Sequence, residues 1–187
     1  MLERYLVDQC APTLAGIKTG SLFSIRGEDP QSIRLEIRKI NQSLSAKGLL
    51  LLPLHSTCTF CLLYLYRPKQ LAKDLNRPDS TMLLQRCGYS SNKTTICLVR
   101  LIQRLREGSG FPHEIGLFLG YPPKDVQGFM ENPHCPSKCR ACTGGCWKVY
   151  HEPKKAQVLF DMYASCTRNY QNRLRGGASL EQLAVAG

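Results

Sequence analysis

Four thiols stand within twelve residues at Cys135, Cys139, Cys142 and Cys146, separated by three, two and three residues, with His134 beside the first. In a reducing compartment such a cluster supplies soft thiolate ligands, so zinc or an iron–sulfur cluster is the expected cofactor, with those four cysteines as the metal ligands. Lys138, Arg140 and Lys148 would help keep the thiols ionised. The first three cysteines also have the spacing of radical S-adenosylmethionine enzymes. Those enzymes are larger, carry the motif near the beginning and leave one iron open, whereas only 45 residues follow Cys142 here and Cys146 could take that iron. A reduced, cysteine-rich surface loop with no metal is the competing reading of the same spacing.

A second constellation combines Cys10, at the end of a proline-terminated helix, with His113 and Glu114. If the fold brings them together, a thiolate nucleophile and its base result, with Thr13 as a hydrogen-bond donor. A histidine following Pro112 can equally cap the backbone or face water. A third set would suit a flat anionic ligand: Lys18, Arg67 and Lys148 supply charge, and Tyr66, Tyr121 and Trp147 supply stacking surface. The same residues would also serve as a solvated rim. No phosphate-binding loop, dinucleotide glycine fingerprint or HExxH motif occurs, which argues against a nucleotide hydrolase or a metalloprotease.

The chain that must position these groups has 187 residues, 43% of them hydrophobic and 21% charged, which is enough to bury one core without staples. Its formal charge of +11 favours anionic partners. The basic residues are scattered along the chain, so a small anionic ligand or a redox protein is preferred to nucleic acid as the partner. The ten cysteines come with no signal-like leader, because Glu3, Arg4 and Asp8 interrupt the first ten residues. Leu49–Leu54 and Phe60–Tyr66, the longest apolar runs, are far shorter than the ~20 residues that span a bilayer. A cytoplasmic protein without a membrane segment is expected, with Cys87, Cys97 and Cys166 as small buried hydrophobes.

Apolar spacing places helices over about 2–9, 30–47, 68–75, 78–86, 94–107 and 153–175. Pro12 should break the first, Asp29-Pro30 caps the second and Gly48 closes it. Ser21–Arg26 reads as a strand, and the runs 49–55 and 59–66 read as a hairpin in a sheet covered on both faces. Phe111–His151 reads as strand, helix, cysteine loop and strand. Ala156, Leu159, Phe160, Tyr163, Cys166 and Tyr170 form the expected core stripe of the last long helix, and Ser179 with Gln182 forms a capping box. Tyr66-Arg67-Pro68-Lys69 is echoed by Tyr121-Pro122-Pro123-Lys124. If the echo is a duplication, it would pair two helix N-termini as an anion site; chance coincidence is the simpler account.

The phrases CAPTLAGIKTGSLFS (10–24), LYLYRPKQLAKDL (63–75), FPHEIGLFLGYPPKDVQGFMEN (111–132) and CWKVYH (146–151), in this order, resemble a bacterial family catalogued as domain of unknown function 3793. The likeness covers nearly the whole chain. It implies a stand-alone cytoplasmic protein of anaerobic bacteria, sometimes encoded near flavodoxin and iron-uptake proteins, and it carries no activity. The cysteine density of 133–145 goes beyond the family pattern. The expected architecture is a single α/β (α+β) domain over 1–187, with a small mixed sheet, packed helices and a long C-terminal helix. Its 132–146 segment forms a cysteine-rich loop. The expected function is metal or iron–sulfur binding in anaerobic redox or metal homeostasis. The alternatives are a Cys10/His113 enzyme or anionic-ligand-binding protein, and a basic interaction module.

Overall fold

The strand Phe60–Tyr66 (β3) is apolar at every position, and the fold explains why. In the computed structural model, which describes residues 1–91, 93–107, 110–132 and 148–187, this strand lies between Gly20–Arg26 (β1) and Leu50–Ser56 (β2). Both neighbours pair with it antiparallel, Gly20 opposite Tyr66 on one side and Leu50 opposite Tyr66 on the other. β1 and β2 therefore run the same way but never touch. The sheet is antiparallel throughout rather than mixed among the described residues, because β3 inserts between the two strands that a crossover helix would otherwise have placed side by side. β2 is an edge strand, where Pro53 costs no ladder bond, and its register shifts between Pro53 and His55.

Alternation along β3 divides the interior in two. Cys61, Leu63 and Leu65 face a core built from Leu2–Leu14 (α1), Pro30–Leu44 (α2), the end of Pro153–Arg175 (α8) and Leu180–Leu183 (α9). Tyr64 and Tyr66 face a second core under Pro68–Leu75 (α3), Pro78–Arg86 (α4), Thr94–Glu107 (α5), Ile115–Phe118 (α6) and Pro123–Glu131 (α7). A strand buried on both faces must be apolar on both.

Local signals set most boundaries. The Asp29 carboxylate accepts from the Ser32 N–H at 2.8 Å and Pro30 opens α2; a 3₁₀ turn at Ser45–Lys47 then ends on Gly48 at φ 72°. The Ser179/Gln182 capping box is formed.

Further expectations about individual elements are corrected. α1 continues through Pro12 to Leu14. The proline falls in the last turn, where one lost hydrogen bond is offset by burial of Cys10, Ala11 and Leu14. Ile115–Phe118 is one helical turn, not a strand, since the N–H groups of Leu117 and Tyr121 bond to Glu114 and Gly116 nearby. No strand forms at Lys148–Tyr150, because the Asp125 carboxylate takes the N–H groups of Tyr150 and His151, each at 2.8 Å. The α8 stripe is also less buried than expected: only Tyr170 is fully covered, and Val158 is 70% exposed. This helix rests along α1 and bridges the margins of the two cores, with Cys166 against the first and Phe160 against the second.

Gly20 marks a close approach. A Cβ there would lie 2.5 Å from Tyr64 Cε2 and 2.9 Å from the Phe118 carbonyl oxygen. Gly20→Ala is expected to cost about 1–3 kcal/mol in urea unfolding.

Candidate functional site

Arg67 leaves the end of β3 and enters the junction of three chain segments. Its Nε donates to the Thr13 carbonyl, and its Nη2 donates to the Leu14 and Val185 carbonyls, each at 2.8 Å. Thr13 and Leu14 are the last residues of α1, so the guanidinium sits at the negative end of that helix. Pro12 adds to this end, since its carbonyl accepts the N–H groups of Ile17 and Lys18. Arg67 is only 4% exposed, yet no carboxylate pairs with it among the described residues. Burial lowers its pKa, but a guanidinium remains charged throughout the physiological range.

Arg67 lines a cavity of about 500 Å³ together with Gly16, Lys69, Gln70, Lys73 and the backbone of Val185–Gly187. Nη1 takes no hydrogen bond among the described residues and lies on the Gly187 side, where a Cβ on that glycine would come within 2.5 Å of it. Lys69 Nζ donates toward the Gly187 carbonyl at 3.5 Å. Lys69 and Gln70 belong to the first turn of α3, which has no side-chain cap, and Lys73 lies one turn further on. Thr19 Oγ1 donates to the neighbouring Asp74 carboxylate, which also lines the cavity.

A phenolic cluster adjoins this region. Tyr64 and Tyr66 stack at 4.9 Å, Tyr64 donates to the Phe118 carbonyl, and Lys18 Nζ lies 3.4 Å from Tyr121 Oη and 5.8 Å from the Tyr163 ring centre. Burial raises the pKa of Tyr64 and Tyr66, and burial followed by the Asp74 charge pushes Tyr163 up to about 12. These phenols are neutral at ordinary pH. Gly120, at φ 81°, makes the meeting possible: a Cβ there would sit 2.6 Å from Thr19 Oγ1.

The expected ligand residues therefore divide. Lys18, Tyr66, Tyr121 and Arg67 gather where β1, β3 and the turn after α6 meet. Thr13 contributes its carbonyl to Arg67, while its hydroxyl bonds to Ser21 at 2.9 Å. Lys148 lies elsewhere, 5.6 Å from the Phe129 ring centre. Trp147 lies outside the described residues, as do Cys135, Cys139, Cys142 and Cys146. No metal-competent group of three or more His, Cys, Asp or Glu occurs among the described ones.

The Cys10, His113 and Glu114 constellation is not assembled. Cys10 is 0% exposed in the first core, and burial pushes its thiol up to about 12 against the lowering effects of Lys18 and Ser21. A thiol so protonated is no nucleophile. His113 is exposed and meets the Phe129 ring edge-on at 4.8 Å. Glu114, 1% exposed, accepts from Tyr89 Oη at 3.0 Å and lies 2.6 Å from Arg104 Nε. That nitrogen lies outside hydrogen-bond alignment, so charge holds the pair, and Glu114 balances Arg104 rather than orienting His113.

Lys69, Lys73, Asp74 and Asp125 escaped the sequence reading. Lys69 and Lys73 lie four apart on a helix opened by Pro68, a spacing that puts both on one face. Asp125, 2% exposed, stands two residues after the proline that opens α7, where an acid suits the helix N-terminus.

Fold and site define an α+β protein in which one three-stranded antiparallel sheet separates two helical layers and a basic cavity opens at one end of the central strand. The chain belongs to the family described as Protein of unknown function (DUF3793), which it matches over residues 6–184. No curated protein and no solved structure matches it.

Native-state alkylation at pH 8 is expected to modify exposed Cys58 and spare Cys10. The folded pKa of Cys10 is raised, so its contribution to stability is complete below the unfolded thiol value near 9 and is lost as pH rises toward 12. Stability should fall by about 1.4 kcal/mol per pH unit per such group across that window, as read by urea titration.

Proposed function

We propose that the protein binds a small anionic ligand in the Arg67 cavity. One observation carries this reading: a guanidinium held by three carbonyls, with no acidic side chain paired to it among the described residues, borders a cavity of about 500 Å³ that Lys69 and Lys73 also line. A buried positive charge is stabilised by a counter-charge, and an arginine fork suits carboxylate and phosphate oxygens. The lining side chains are three cations against the one acid Asp74, and the net charge of +11 draws anions toward them. Among the described residues no helix is long and apolar enough to cross a membrane, and the free thiols there suit a cytoplasmic setting.

Titration calorimetry with inorganic phosphate and with citrate tests the reading. Lys69→Gln/Lys73→Gln, both exposed positions, should weaken binding at least tenfold while leaving the melting temperature of the unliganded protein unchanged. Absence of binding to the wild type, or equal affinity in the double variant, would refute it.

The metal reading rests on the spacing of Cys135, Cys139, Cys142 and Cys146 and places a zinc ion or iron–sulfur cluster there. Metal and acid-labile sulfide analysis of protein purified without oxygen should find one site per chain, abolished by Cys139→Ser. Metal-free wild-type protein would exclude it.

A further inference from the structure

The opposite end of the sheet carries a second, independent feature. β2 and β3 project as a hairpin closed by a Thr57 N–H to Phe60 carbonyl bond of 2.8 Å, and a cavity flanks each side of its tip. One, of about 430 Å³, lies against α2 and includes Ile33, Arg34, Cys61 and Arg106. The other, of about 420 Å³, lies over the opposite sheet face and includes Arg26, Leu62, Leu105 and Phe111. His55 and Phe60 line both, with ring centres 5.5 Å apart. The register shift between Pro53 and His55 lies beside them on the edge strand, a place where shifts re-aim side chains.

The charge of this region is unbalanced in one direction. Arg26, Arg34 and Arg106 are exposed and form no ion pair or hydrogen bond among the described residues, against the single acid Glu28 in the first cavity. They come from β1, α2 and α5, so positions scattered over 80 residues of sequence gather at one end of the fold. Phe111 is 51% exposed and has no ring partner among the described residues, so its face is open to a ligand. Exposed aromatic faces between unpaired arginines are the features that hold single-stranded nucleic acid, bases stacking on rings while guanidinium groups follow the phosphates.

We propose that the hairpin end binds single-stranded nucleic acid, with Phe111 and Phe60 as stacking platforms and Arg26, Arg34 and Arg106 as phosphate contacts. Two adjoining cavities sharing a pair of rings suit successive nucleotides of a strand better than one free nucleotide.

Fluorescence anisotropy of a labelled ten-nucleotide oligothymidylate, at 50 and 200 mM salt, tests this. Binding should weaken with salt, and Phe111→Ala should reduce affinity about fivefold or more. Arg26→Gln/Arg106→Gln should lower the log–log salt slope by roughly 1.4, two phosphate contacts on a single strand. Lys69→Gln/Lys73→Gln, at the other site, should change affinity little. All three substituted positions at the hairpin end are exposed, and unchanged melting temperatures confirm folding. The proposal is overturned if the oligomer does not bind at 50 mM salt, if Phe111→Ala binds as wild type, if a duplex of equal length binds as tightly, or if thymidine monophosphate competes as well as the oligomer.

Discussion

A guanidinium withdrawn from water needs partners in fixed places, and Arg67 gets them from main-chain carbonyls of two segments far apart in sequence. Thr13 and Leu14 end the first helix and Val185 lies in the C-terminal segment, so one side chain ties both to the end of the central strand. Carbonyl partners accept three hydrogen bonds from the guanidinium but do not cancel its charge. That leaves a positive centre at the wall of a cavity, and the lysines of α3 reinforce it.

The rest of the architecture closes on this junction. The central strand is buried on both faces, and its last residues enter the junction directly. Gly20 and Gly120 allow β1 and the turn after α6 to approach within contact of Tyr64 and Thr19. Neutral phenols and the Lys18 ammonium fill the space beyond. Asp125 anchors the Tyr150–His151 backbone to α7.

Most helices were legible because their signals are local: Asp29-Pro30, the Gly48 terminus, the Pro68 and Pro78 starts, and the Ser179/Gln182 box. β3 was legible from its unbroken apolar run. The differences arise where tertiary contacts or local bonding outweigh the pattern of residue types. Core burial carried α1 past Pro12, local N–H bonding curled Ile115–Phe118 into a turn, and a carboxylate displaced strand pairing at Tyr150. The interposition of β3 between β1 and β2 leaves no local trace, so the sequence predicts a mixed sheet where the fold has an antiparallel one. Arg67, Lys18, Tyr66 and Tyr121 were recognisable by type, whereas the separation of Cys10 from His113 and the hold of Arg104 on Glu114 depend on packing that spacing cannot report.

Nitrogen-detected NMR of the arginine guanidinium groups during phosphate titration addresses the central claim at the atoms concerned. The account predicts a saturable shift of the Arg67 Nε and Nη resonances, with those of Arg104, already paired with Glu114, unchanged. An Arg67 signal that stays fixed, or a uniform drift of all arginines with ionic strength, would contradict an anion site built around this residue.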